Sequence, residues 1–157
     1  MTTELPYKRP ISVLVVIHTA TLQVLLLERV VPPGFWQSVT GSLEADESPL
    51  QAAIREVNEE TGLAVSSDQL RDWHHTNRFE IIENWRARYA PGVTHNTEHV
   101  FSLCVPAPRP VRLALAEHRL QLWLPLEEAA RKASSWTNRD AILMLPHRAA
   151  QQPTAPD

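Results

Sequence analysis

The segment from Gly41 to Leu63, GSLEADESPLQAAIREVNEETGL, carries its own punctuation. Ser48 followed by Pro49 predicts a helix start: the hydroxyl can cap a free amide, Gln51 three residues on completes a capping box, and proline suits the first turn. Gly62 after Thr61 predicts the left-handed residue that closes the helix. Between them Leu50, Ala53, Ile54, Val57 and Thr61 recur at helical spacing as a face to bury, which leaves Glu56, Glu59 and Glu60 together on another. That grouping is unfavourable for a plain helix. Glu56 and Glu60 repel at i,i+4 by roughly 0.2–0.5 kcal/mol, and the carboxylates sit at the negative end of the helix dipole. Arg55 answers part of this by pairing with Glu59 at i,i+4. The remaining partner is a hard, oxygen-seeking divalent ion, for which Mg2+ suits best and Mn2+ can substitute. The rival reading is a solvated acidic face.

The rest of the chain frames this segment. Its 157 residues make one domain, placed at 1–148, with a polar, Pro-containing tail from Ala149 to Asp157 expected to fray. A net charge of −3 without an Arg/Lys run argues against nucleic-acid or membrane surfaces as partners. The N-terminus MTTELPYKRP lacks an apolar core of a signal peptide, so the expectation is a soluble, cytoplasmic protein. Cys104, alone in the apolar run Val100–Val105, reads as a buried structural thiol. The adjacent His74 and His75 face opposite ways on a strand and make a poor metal pair.

Apolar runs predict strands at Ile11–Ile17 and Gln23–Leu27 around a turn at His18–Thr21, then at Leu70–His75, Arg78–Ile82, Trp85–Tyr89, Glu98–Val105 and Gln121–Leu124. Leu126–Ala133 and Arg139–Leu145 read as late helices, the second capped from Ser135 or from Thr137–Asn138. Strands with a carboxylate helix between them and helices at the end suit an α/β/α sandwich on a mixed sheet.

Written as a pattern, the opening segment is Gly41, five residues, Glu47, seven residues, Arg55-Glu56-Val57, one residue, Glu59-Glu60, one residue, Gly62-Leu63. Seven fixed identities with aliphatic residues at Val57 and Leu63 coincide by chance on the order of once in 10^9 starting points at average residue frequencies. The pattern resembles the signature of the Nudix hydrolases. The resemblance implies the same α/β/α fold and metal-dependent cleavage of a diphosphate linkage, with Glu56 and Glu60 as metal ligands and Glu59 as ligand of a second ion or helper of the attacking water. Arg55 would orient carboxylates together with Glu47, whose charge also favours the helix N-terminus. The family often takes one more acidic group from outside the signature. Glu117 is the choice here for metal ligand or base, with Glu80, Glu83 and Glu98 as competitors; Glu80 and Glu98 can simply be outward strand positions.

Two positions depart from the common pattern: Phe35–Thr40 replaces the usual Pro-Gly before Gly41, and Asp46 stands where glycine is common. Together with Tyr7-Lys8-Arg9-Pro10, Arg88–Thr94 and Ser135–Arg139, these features resemble the branch of the family that acts on a pterin triphosphate. That likeness implies hydrolysis of 7,8-dihydroneopterin triphosphate to dihydroneopterin monophosphate and pyrophosphate, an early step of folate synthesis. Candidate substrate-binding residues are Lys8 and Arg29 for phosphate, Thr40 and Ser135 for phosphate or ring, and Phe79, Glu80, Ile81 and Ile82 for the ring pocket. Against Lys8 and Arg29 stands the reading of ordinary surface charge, and Trp36 and Trp136 are more ordinary as packing than as stacking platforms. The competing functions are a broader nucleoside triphosphate (such as dATP) or dinucleoside polyphosphate hydrolase, and a non-cleaving ligand sensor. Oligomeric state is left open.

Overall fold

The computed structural model describes residues 7–150. Along them run β1 (Ile11–Thr19), β2 (Gln23–Arg29), β3 (Trp36–Gln37), β4 (Val39–Ser42), α1 (Pro49–Thr61), β5 (Leu70–Glu80), β6 (His95–Val105), β7 (His118–Pro125), α2 (Leu126–Lys132) and α3 (Trp136–Ala150). Single 3-10 turns at Ser67–Gln69 and Glu83–Arg88 flank β5. The strands form one seven-stranded mixed sheet in the order β3-β2-β1-β6-β5, with β4 also on β1 and β7 also on β2.

The hub is β1, antiparallel to β2 and β4 and parallel to β6 from Ile11↔Thr97 to Thr19↔Val105. Its apolar run is continuous because both faces are covered. Val13, Val15 and Ile17 meet Ala52, Ala53 and Val57 of α1, while Leu14 and Val16 share a second core with Ala129, Ala130, Ile142 and Leu145 of α2 and α3. This is the expected α/β/α sandwich. The sheet fixes α1 against β4 on one side and the start of α3 on the other.

The local signals of α1 are realised as read. Ser48 Oγ accepts from Gln51 N–H at 3.2 Å, Gln51 Oε1 accepts from Ser48 N–H at 2.9 Å, and Gly62 closes the helix at φ +76° with its N–H on the Asn58 carbonyl at 2.8 Å. The assignment of faces is corrected. Glu56 and Glu60 are buried beside Ala53 and Val57, and only Glu59 of the three is exposed.

Other expectations change with tertiary context. The two strands at Leu70–His75 and Arg78–Ile82 are a single β5, kinked by a bulge between Asp72 and Thr76 where His74 takes φ +49°. Trp85–Tyr89 is not a strand: Trp85 lies in the 3-10 turn, with its ring under the Arg29 guanidinium at 5.0 Å and edge-on to Phe35 at 5.8 Å. Those contacts outweigh the β-preference of the aromatics. β6 begins earlier, at His95, and Ser135 caps the longer α3 by accepting from Asn138 N–H at 3.2 Å. Cys104 is exposed, because the core under α2 and α3 ends before the last residues of β6. Of the tail, Ala149 and Ala150 belong to α3, and residues 151–157 lie outside the described ones.

Candidate active site

Where α1 meets β4, Gly41 lies directly over Glu56. A Cβ at this position would overlap the Glu56 carboxyl group, so glycine leaves the space that the carboxylate fills. Arg55 organises the surroundings. Its Nε and Nη2 donate to the two oxygens of Glu47 at 2.7 and 2.9 Å, Nη1 donates to Glu56 Oε1 at 2.6 Å and Glu59 Oε2 at 3.2 Å, and Nη2 also reaches the Ser42 carbonyl at 3.0 Å. The hydrogen bonds with Glu47 raise the Arg55 pKa and lower that of Glu47. The guanidinium is therefore a fixed brace between the loop before α1 and its carboxylates.

Behind it, Glu60 is completely buried, and neither of its oxygens has a hydrogen-bond partner among the described residues. Burial, then the neighbouring Glu56 and Glu117, push its carboxyl well above the usual range; burial also raises Glu56. Ligand atoms of Glu60, Glu117 and His118 all lie within 4.8 Å of one another. Desolvated carboxylates with orphaned oxygens fit a divalent cation, which would supply the missing partner. Glu117 arrives on the turn before β7, where its carbonyl accepts from Val30 N–H at 2.9 Å.

His118 enters differently. Burial and Arg29 lower its pKa to about 4, so the ring is neutral at physiological pH. With Gln37 Nε2 donating to its Nε2 at 3.0 Å, the ring proton resides on Nδ1, 3.6 Å from Glu60 Oε1. In that tautomer the ring nitrogen nearest Glu60 carries the proton and is not free to ligate a metal, and at 3.6 Å it makes no hydrogen bond to the carboxylate.

Facing the carboxylates is a cationic wall of Lys8, Arg29 and Arg88. Lys8 N–H donates to the Arg88 carbonyl at 2.8 Å, which ties the N-terminal segment to the 3-10 turn. Lys8 lies 5.8 Å from the Tyr89 ring centre, and Arg29 and Arg88 share Trp85 at 5.0 and 5.9 Å. Burial, followed by mutual repulsion with Arg88, lowers the pKa of both Lys8 and Arg29. Cations crowded against one another are poised to receive polyphosphate.

Wall and carboxylates line one cleft of about 1310 Å³. It also takes in Thr40, Phe79, Glu80, Ile81, Ile82 and Ser135, so every substrate-binding candidate from the sequence lies on it. Their states differ. Thr40 Oγ1 already donates to the Val13 carbonyl at 2.9 Å and so has no proton to offer a phosphate. Ser135 Oγ accepts from Asn138 N–H and Nδ2 and shares a further hydrogen bond with Thr137 Oγ1 at 3.4 Å. Glu80 is paired with Arg86. Arg55 and Glu59 do not line the cleft; Glu59 is half exposed and held by Arg55.

A NUDIX domain model matches residues 8–145. The chain belongs to the Nudix hydrolase family. It is 49% identical over 139 residues to the dihydroneopterin triphosphate diphosphatase of Escherichia coli K12, covering 87% of this chain and 91% of that protein. Identity to the protein of the same name from Haemophilus influenzae is 43%, covering 87% of each. A solved structure of the E. coli dihydroneopterin triphosphate pyrophosphohydrolase superposes with a TM-score of 0.83 at 47% identity, over 90% of this chain and 98% of that one. The protein is therefore a Nudix hydrolase, and its enzymatic class is that of a family that generally uses divalent metals on phosphate substrates.

Several cleft residues escaped sequence reasoning. Arg88, Trp85 and Tyr89 sat in a segment read as a strand, although the alternation of cations and aromatics in Trp-Arg-Ala-Arg-Tyr was visible. Nothing local in the sequence marks His118 beside Glu117; only the packing of β7 brings it to Gln37 and Glu60. Glu98, open in the sequence between a competitor of Glu117 and an outward strand position, is 4% exposed and lines the cleft with Asn96.

Proposed function

We propose that this Nudix hydrolase cleaves 7,8-dihydroneopterin triphosphate, with Mg2+, to dihydroneopterin monophosphate and pyrophosphate, in the cytoplasm and as a step of folate synthesis. The observation that carries the chemistry is the opposition of Glu56, Glu60 and Glu117 to Lys8, Arg29 and Arg88 across one cleft. The substrate assignment draws on the two relatives named for it, at 49% and 43% identity.

Glu56, Glu60 and Glu117 would hold the metal, and a divalent ion bound there neutralises phosphate charge and acidifies water. The remaining work falls to the chain. Lys8, Arg29 and Arg88 draw the triphosphate along the wall, Arg29 and Arg88 by two-pronged contacts and Lys8 as a point charge. Arg55 keeps the Glu56 carboxylate aimed inward. In the reaction water attacks one of the two phosphorus atoms that flank the α–β bridging oxygen, and that oxygen leaves with the other phosphoryl group. One P–O bond breaks, one forms, and both water protons leave to carboxylate or solvent. Glu117, on the accessible lip of the site, is the chain's candidate to accept the first proton; Glu59 needs an intervening water or second ion to take part.

The test is a Mg2+-dependent assay of dihydroneopterin triphosphate beside dATP and diadenosine tetraphosphate, resolving pyrophosphate from single phosphate. Pyrophosphate with a clear pterin preference is expected, and its loss in a folded Glu60→Gln variant. Equal or faster turnover of either nucleotide overturns the pterin assignment, and no turnover at all points to a sensor.

A further inference from the structure

Away from the carboxylates, the cleft floor is built by the sheet. Ser12, Glu98 and Asn77 stand opposite one another on β1, β6 and β5, and Asn96 stands opposite Phe79, so these side chains share one face. The start of α3 covers them. Asn96 is 3% exposed; its Nδ2 donates to Ser12 Oγ at 2.7 Å, which pins the amide, while Oδ1 has no partner. Glu98 is held by neutral groups, Thr137 of α3 and Asn77 Nδ2 at 3.5 Å. A carboxylate offers about four acceptor sites, so two such bonds leave acceptor capacity facing the cleft.

We propose that Glu98, seconded by Asn96, determines specificity by reading the ring edge of the substrate, accepting two parallel N–H bonds from a ring N–H and its adjoining exocyclic amine. This inference rests on the pterin reading above and names the residues that make the choice. A 2-amino-4-oxo ring presents two donors side by side, which match two carboxylate oxygens as a guanidinium does. An adenine edge presents one donor and one acceptor, and its acceptor would face a carboxylate oxygen. Asn96 Oδ1 adds another fixed acceptor on the same floor. The competing role for Glu98 is that of a buried tie between β6 and α3. Burial lifts Glu98 to about 7, so the ionised state that two donors demand is within reach at neutral pH.

Glu98→Gln keeps the shape and replaces one acceptor with a donor. The expected result is a fall of about tenfold or more in the ratio of kcat/KM for dihydroneopterin triphosphate to that for dATP, as loss of a hydrogen bond to a charged acceptor implies. Binding of phosphate-free neopterin, followed by its fluorescence, should weaken by a similar factor. Equal losses on both substrates, or no change on either, overturn the proposal in favour of the structural tie. If the variant does not fold, wild-type protein decides: neopterin should bind about tenfold or more tighter than the corresponding pteridine lacking the 2-amino group, and equal binding overturns the proposal. Failure of the pterin reading appears separately, as a wild-type enzyme with no preference for the pterin triphosphate.

Discussion

Glu98 is a carboxyl whose burial raises its pKa to about 7, against about 4.5 in the unfolded chain. Below the lower value both states are protonated and folding loses nothing. Between the two the folded state holds a proton that the unfolded state has released, so stability falls as pH rises. Above about 7 both are ionised, and the burial costs on the order of 3 kcal/mol. Glutamine removes that cost without changing volume. Glu98→Gln should therefore melt several degrees above wild type at pH ~8, with the gap closing by pH ~5, in thermal denaturation with chelator present. A gap that is flat with pH would mean that the site ionises without penalty. A residue kept at such a cost and facing the cleft is consistent with a binding role, because an amide or an apolar side chain would serve packing better.

At the scale of elements, the site depends on how closely α1 can approach β4. Gly41 is the contact, since the Glu56 carboxyl group fills the place of its missing Cβ. In Gly41→Ala the methyl must displace that carboxylate, together with its 2.6 Å bond from Arg55. The expected outcome is a loss of about 10- to 100-fold in Mn2+ affinity, measured by calorimetric titration, with the helical content of α1 unchanged by circular dichroism. Undiminished metal binding would show that α1 has freedom to shift. Much of this element was legible beforehand because its signals are local: cap, proline, closing glycine and the Arg55–Glu59 pair all follow from spacing within one helix. What was illegible needed the partner element. Glu56 and Glu60 looked like an exposed group until Gly41 supplied the room to bury them. Glu98 had the parity of a strand residue, and only the position of α3 shows which parity faces the cleft. Trp85–Tyr89 has strong strand propensity, yet the contacts of Trp85 with Arg29 and Phe35 fold it into a turn.

Over the whole molecule the cleft divides into two chemical ends drawn from distant parts of the chain. Lys8 comes from the N-terminal segment, Arg29 from β2, Arg88 from the turn before β6, and Ser135 and Thr137 from the start of α3. A chain with net charge −3 thus gathers Lys8, Arg29 and Arg88 along one cleft, while the floor that would hold the ring, built of Ser12, Asn77, Asn96 and Glu98, is polar and uncharged apart from Glu98. The two ends should respond differently to salt. The wall acts through partly exposed charges, which screening weakens as the Debye length falls from ~14 Å to ~4 Å between ~0.05 and ~0.5 M salt. On the proposed reading the floor would act through short hydrogen bonds in a buried setting, where screening is slight. Raising salt across that range should increase KM for the triphosphate several-fold and leave neopterin affinity nearly constant. Arg88→Ala should raise KM about tenfold at low salt, as removal of a charge-assisted phosphate contact implies, and should flatten the salt dependence. Steady-state kinetics and neopterin fluorescence at matched salt concentrations check both arms. If neopterin affinity falls in parallel with the triphosphate KM effect, the ring is held electrostatically at the wall, and the division of the cleft into a phosphate end and a ring end is wrong.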